Sequence, residues 1–103
     1  MSVREKRGTG TAVKKEEKLK EPEEFRVVLL NDPYTTMEFV VEILISVFHK
    51  PRDEANRIMM RVHLSGRGTV GIYPWDIAYT KVNQVHLLAQ EHGYPLRCII
   101  EPL

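Results

Sequence analysis

Residues 26–39, RVVLLNDPYTTMEF, constrain the fold more than any other stretch of this chain. Arg26 to Leu30 is apolar and β-branched, as in a buried strand, while Asn31, Asp32 and Pro33 are residues that end strands and make turns. Thr35 or Thr36 can then cap a helix. With Thr35 as the cap, Glu38 stands three residues later, at the spacing of a capping box. A strand that turns so abruptly into a capped helix holds Asn31 and Asp32 beside an apolar strand end, where short polar side chains can build a small binding site.

The rest of the sequence says how large a domain surrounds this junction. Residues 1–24 contain seven Lys or Arg, six Glu and only five apolar residues, too few to bury a core, and read as a disordered N-terminal arm. The 79 residues from Phe25 to Leu103 read as strand, helix, helix, strand, helix, strand. Met37, Val40, Val41, Leu44 and Phe48 recur at helical spacing, and the His49-Lys-Pro-Arg run breaks that helix. A second helix opens near Asp53, the expected N-cap, with Ala55, Ile58, Met59 and Val62 on one face, and ends at Ser65-Gly66. Thr69 to Tyr73 is a short strand. Pro74 suits the first turn of a third helix, whose buried stripe is Ile77, Ala78, Val82, Val85, Leu88 and Ala89. Gly93 stops that helix, and Leu96 to Ile100 forms the last strand. The order predicts an α+β fold, a single small domain with a three-stranded antiparallel sheet packed against three helices.

Composition narrows the function. Fifteen Lys and Arg stand against 14 Asp and Glu, without the basic excess of a nucleic-acid binder. No run approaches the roughly 20 apolar residues of a membrane span, and the N-terminus lacks the apolar core of a secretory signal. The single Cys98 excludes an internal disulfide framework and suits a reduced compartment. A cytoplasmic protein, monomeric by default, is expected. His49, His63, His86, His92 and Cys98 show no zinc-ligand spacing, and no nucleophile elbow or phosphate loop is present, so neither a metal, a cofactor nor an enzymatic activity is expected.

One further residue carries chemistry. His63 follows Met59 by about one helical turn near the end of the second helix. A neutral imidazole nitrogen, an Asn carbonyl oxygen and an Asp carboxylate are all acceptors, so His63, Asn31 and Asp32 together can receive the three N–H donors of an ammonium group. A free α-amino group has that geometry.

The segments LLNDPYTTMEFV, IMMRVH, WDIAYTKV and YPLRCIIE, in this order and spacing, resemble the bacterial ClpS adaptor family across residues 25–103. The resemblance implies an adaptor rather than an enzyme. Such an adaptor binds substrate proteins with a bulky N-terminal Leu, Phe, Tyr or Trp (N-degrons of the N-end rule) and delivers them to a Clp-family AAA+ unfoldase, of ClpA type or ClpC type, and its peptidase. It implies that Asn31 and His63 hydrogen-bond the substrate α-amino group, with Asp32 supporting them by charge or through water. Leu29, Leu30, Thr35, Met37, Val40, Met59, Val62 and Leu96 are implied to surround the first side chain, with Met37 disfavouring β-branched Val and Ile. Asp76 and Lys81 on the third helix correspond to the unfoldase docking surface, and the arm before Phe25 to the extension engaged by the unfoldase pore.

One departure from the family pattern is Pro33, which stands where a second Asp is often found and shifts the amine-binding task toward Asp32, Asn31 and His63. The element order also resembles the C-terminal domain of the ribosomal stalk protein, an interaction module without an amine pocket. Asn31, Met37 and His63 separate the two readings.

Overall fold

Six elements follow one another in the computed structural model, which describes residues 22–103. They are strand β1 (Glu24–Leu30), helix α1 (Met37–Ser46), helix α2 (Arg52–Ser65), strand β2 (Arg67–Pro74), helix α3 (Trp75–Glu91) and strand β3 (Arg97–Pro102). The predicted order and type of every element are observed. The strands are longer than the apolar runs suggested, because ladder pairing extends past the buried residues at each end. The expected arm at 1–24 lies outside the described residues up to residue 21, and its last residue, Glu24, already opens β1.

The sheet is antiparallel throughout, in the order β2-β1-β3, so the first strand is the central one. Alternation along β1 sends Val27 and Leu29 into the helix-covered core, both fully buried. Val28 is also fully buried, on the opposite face, where Arg67 of β2 and Glu101 of β3 reach across β1 in a forked ion pair with both N–O distances at 2.7 Å. A bulge opposite Val27 and Val28 leaves Val70 unpaired and delivers it to the core.

The helix starts settle one open choice and correct two details of the local expectation. Of the two candidates, Thr36 caps α1: its hydroxyl oxygen accepts the Phe39 N–H at 3.1 Å, while the Thr35 hydroxyl is already donated to Asp32. No Thr35–Glu38 capping box forms. Asp53 does not cap α2, because the carbonyl of Pro51 already accepts the Ala55 N–H at 2.8 Å and the helix begins one residue before Asp53. Pro74 directly precedes α3 rather than lying in its first turn. Ile77, assigned by spacing to the buried stripe, is 44% exposed, whereas Phe39 and Ile43 join the core unforeseen.

Two contacts lock sheet to helices. Gly68 is buried where β2 crosses α2, and an added Cβ would stand 2.8 Å from Cγ2 of Val62 and 3.5 Å from the Ile58 carbonyl oxygen. On the other side, the Cys98 N–H donates to Nε2 of His86 at 3.0 Å, tying β3 to α3. That bond requires a neutral ring, and partial desolvation of the ring where it meets β3, with Arg97 nearby, holds the His86 pKa below the ordinary 6.5. Burial also pushes the Cys98 thiol up to about 12, so it is un-ionised at neutral pH.

Substituting Gly68→Ala should destabilise the fold by roughly 1–3 kcal/mol, read from urea unfolding, since Val62 cannot retreat without disturbing α2. Because the folded His86 pKa is depressed, its neutral form contributes in full above pH 6.5. Between 6.5 and the lower folded value the unfolded chain takes up the proton first, and stability falls. The urea midpoint of the native protein should therefore drop more steeply over that window than that of His86→Gln.

Candidate functional site

The site begins with the turn after β1. Asp32 is placed by the end of the strand, and its carboxylate folds the following residues around itself. Oδ1 accepts the N–H groups of Tyr34 and Thr35, each at 2.8 Å, and Oδ2 accepts the Thr35 hydroxyl at 2.7 Å. Pro33 suits the position after such an Asp, because its ring presets φ and it has no N–H to satisfy. This explains how the chain accommodates proline there. Partial burial by itself would raise the Asp32 pKa, but the donors from Thr35 and Tyr34 outweigh it and hold the carboxyl below its ordinary 3.8.

The second wall comes from the end of α2. Gly66 takes the left-handed conformation (φ 91°) and returns its N–H to the Val62 carbonyl at 2.9 Å, closing the helix. Its own carbonyl then accepts the Asn31 N–H at 2.9 Å. That bond joins the start of the Asn-Asp-Pro turn to the last turn of α2, the turn that carries His63.

Between these walls lies a cavity of about 490 Å³ lined by Asn31 to Glu38, Val40, Met59, Val62 and His63. Asn31 and His63 are both exposed, and among the described residues neither side chain is hydrogen-bonded. Both are open acceptors, set over an apolar floor of buried Val40 and Val62 with Met37 and Met59 at the sides. Asp32 differs from them. Three donors already occupy its oxygens, leaving about one of the roughly four lone-pair directions of a carboxylate for a further partner.

Eight of the eleven residues expected at the amine and side-chain sites line this cavity. Leu29, Leu30 and Leu96 do not. Leu29 is fully buried in the core beneath the sheet, Leu96 is almost completely buried, and Leu30 is a half-buried ladder residue opposite Arg67 and Arg97. Their apolar character has gone into packing. Pro33, Tyr34, Thr36 and Glu38 line the cavity without having been expected; Tyr34, 74% exposed beside a turn, was the most visible signal.

The two α3 residues part company. Asp76 is exposed in the first turn, next to Trp75 and close to Tyr79, whose rings stack with centroids 5.9 Å apart and are each about half exposed. Lys81 is turned inward: its Nζ donates to the Val47 carbonyl at 2.9 Å and lies 5.8 Å from the ring centroids of Phe48 and Tyr73. It joins α3 to the end of α1.

The sequence model of the family described as ATP-dependent Clp protease adaptor protein ClpS matches residues 20–99. A relative in Syntrophus aciditrophicus, named ATP-dependent Clp protease adapter protein ClpS, is 54% identical over 86 residues, covering 84% of this chain and 80% of that protein. A relative of the same name in Wolinella succinogenes is 54% identical over 91 residues, covering 88% and 89%. Among solved structures, Agrobacterium tumefaciens ClpS2 bound to L-phenylalaninamide superimposes with a TM-score of 0.78 at 40% identity, over 81% of this chain and all of that one.

Removing the Asp32 carboxylate should loosen the turn. Asp32→Ala is expected to lower stability at pH 7 by about 1–2 kcal/mol, measured by urea unfolding. Because the folded pKa is depressed, the Asp32 contribution is present above pH 3.8 and is lost as pH falls through the lower folded value. The difference between native protein and variant should shrink in that acid range.

Proposed function

The chain belongs to the ClpS family of ATP-dependent Clp protease adaptor proteins, and we propose that it selects clients by reading a free N-terminus that carries a bulky apolar first side chain. The observation that carries this reading is the pairing of two acceptors, Asn31 and His63, unoccupied among the described residues, at the mouth of a cavity with an apolar floor. An α-ammonium group donates three N–H bonds. Asn31 and neutral His63 accept two of them, and the remaining capacity of Asp32, with its negative charge, serves the third directly or through water.

The ligand of the related structure supports this reading. L-phenylalaninamide has a free amine, a benzyl side chain and a carboxamide where the next peptide bond would be, so it stands in for an N-terminal Phe. Burying a Leu or aromatic side chain over Val40, Val62, Met37 and Met59 contributes roughly 1.5–3 kcal/mol, while an unpaired buried ammonium would cancel the gain. Specificity therefore needs both halves at once. Met37, 42% exposed at the edge of the cavity, narrows the entrance against side chains branched at Cβ, which excludes Val and Ile.

Delivery follows by docking rather than chemistry. The bound client is handed to a Clp AAA+ unfoldase in the cytoplasm, of ClpA or ClpC type, with no covalent step in the adaptor. Docking on α3 falls to Asp76 and the exposed Trp75 and Tyr79, while Lys81 holds the helix in place from inside. Aromatic residues flanked by charge are the usual anchors of such contacts.

Fluorescence anisotropy with labelled peptides tests the site. Peptides beginning with Phe or Leu should bind, those beginning with Ile should not, and acetylated Phe should lose binding. His63→Ala should weaken Phe binding about 10- to 100-fold, the usual loss for a hydrogen bond to a charged group. Equal binding of free and acetylated peptides would show an interaction module without amine recognition.

A further inference from the structure

A second cavity, of about 520 Å³, opens between α1 and α2 and shares Met37, Glu38 and Met59 with the first, so the two are neighbours separated by a wall of two methionines. Its floor is Val41 and Ile45. Its rim carries Glu38 and Glu42 on one side and Arg52 on the other. Glu38 and Glu42 stand one helical turn apart, a like-charge spacing that disfavours the helix slightly. Among the described residues neither forms an ion pair, and neither does Arg52. Two carboxylates against one guanidinium leave the rim net negative.

Resting on the reading that the first cavity takes the first residue of a client, we propose that this groove is a second subsite, for the side chain of the client's third residue, selecting Lys or Arg there. In an extended peptide, side chains alternate, so residues one and three face the same surface roughly 6.5–7 Å apart while residue two points away. The third side chain is thus carried over the Met37–Met59 wall into the adjacent groove. Lys and Arg have the required shape, an aliphatic stem to lie along Met37, Val41 and Ile45 and a cationic head to reach Glu42 at the rim. A short acidic residue would face a rim of net negative charge. The shared wall makes the two subsites one continuous track, so first-residue and third-residue preferences contribute to the affinity of a single client.

Anisotropy with Phe-Ala-Ala, Phe-Ala-Lys, Phe-Lys-Ala and Phe-Ala-Glu peptides, each free and acetylated, tests both layers separately. Phe-Ala-Lys should bind about two- to fivefold more tightly than Phe-Ala-Ala at low salt, in line with an exposed ion pair, and Phe-Ala-Glu more weakly. The gain should fade at 0.5 M salt. Glu42→Gln, at a residue that lines the second cavity and not the first, should abolish the Lys advantage and leave Phe-Ala-Ala unchanged; Glu42→Lys should reverse the order of Lys and Glu. If free Phe-Ala-Ala binds and acetylation abolishes it, yet Lys at position three gives no gain, or the gain appears equally in Phe-Lys-Ala, or survives Glu42→Gln, the second subsite is wrong while the first stands. If free Phe-Ala-Ala does not bind at all, the reading beneath both fails.

Discussion

The hydrogen bond from the Asn31 N–H to the Gly66 carbonyl is the joint on which the site depends. It links two segments more than 30 residues apart, the turn leaving the central strand and the left-handed cap ending α2. Gly66 can make it because a residue without Cβ enters the left-handed region freely, which ends the helix and aims its carbonyl at β1. The β1–β2 ladder begins immediately beyond, with Leu30 opposite Arg67 and Leu29 opposite Gly68. Close approach of β2 to α2 at Gly68 completes the joint and keeps Val62, a floor residue of the cavity, against the sheet. His63 and Asn31 converge because helix end and strand end are fixed to each other by backbone, not by their own side chains.

Within that frame the polar residues divide the work. Asp32 gives most of its acceptor capacity to the turn, so it acts first as a scaffold and second as a charge. Among the described residues, Asn31 and His63 keep their side chains uncommitted at the surface. A site of this kind holds unsatisfied acceptors without penalty because water serves them until a ligand replaces it. The apolar floor costs nothing extra, since Val40 and Val62 belong to the same core that holds the helices on the sheet. A pocket at the edge of the core is the economical solution for a domain with so little interior.

Much of this was legible from the residues. Hydrophobic spacing, the Asn-Asp-Pro turn and the helix-ending glycine identified every element, and acceptor chemistry singled out Asn31, Asp32 and His63. The places where observed contacts differ from local expectation share a cause. Leu29, Leu30 and Leu96, expected around the first side chain, are absent from the cavity lining: the ladder sets Leu29 in the core and Leu30 opposite Arg67 and Arg97, and Leu96 is buried just before β3. Thr35 has the right spacing for a cap, but the stronger offer of the Asp32 carboxylate claimed its hydroxyl. Lys81, expected on a docking surface, donates to the carbonyl that Val47 presents at a helix end. In each case a partner from elsewhere in space, or a competing local bond, outbid the residue's intrinsic preference.

The sequence by itself determined which segments become strand, turn and helix, and which side chains can accept from an ammonium group, because those properties depend on neighbours a few positions away and on functional-group chemistry. Only the tertiary structure decided that Asn31 and His63 line one cavity, that Asp32 is largely spent on its own turn, and that a second, acid-rimmed groove adjoins the first across Met37 and Met59. Those outcomes depend on strand register, helix packing and the direction of a carbonyl at Gly66, which are settled by long-range contacts among the folded elements.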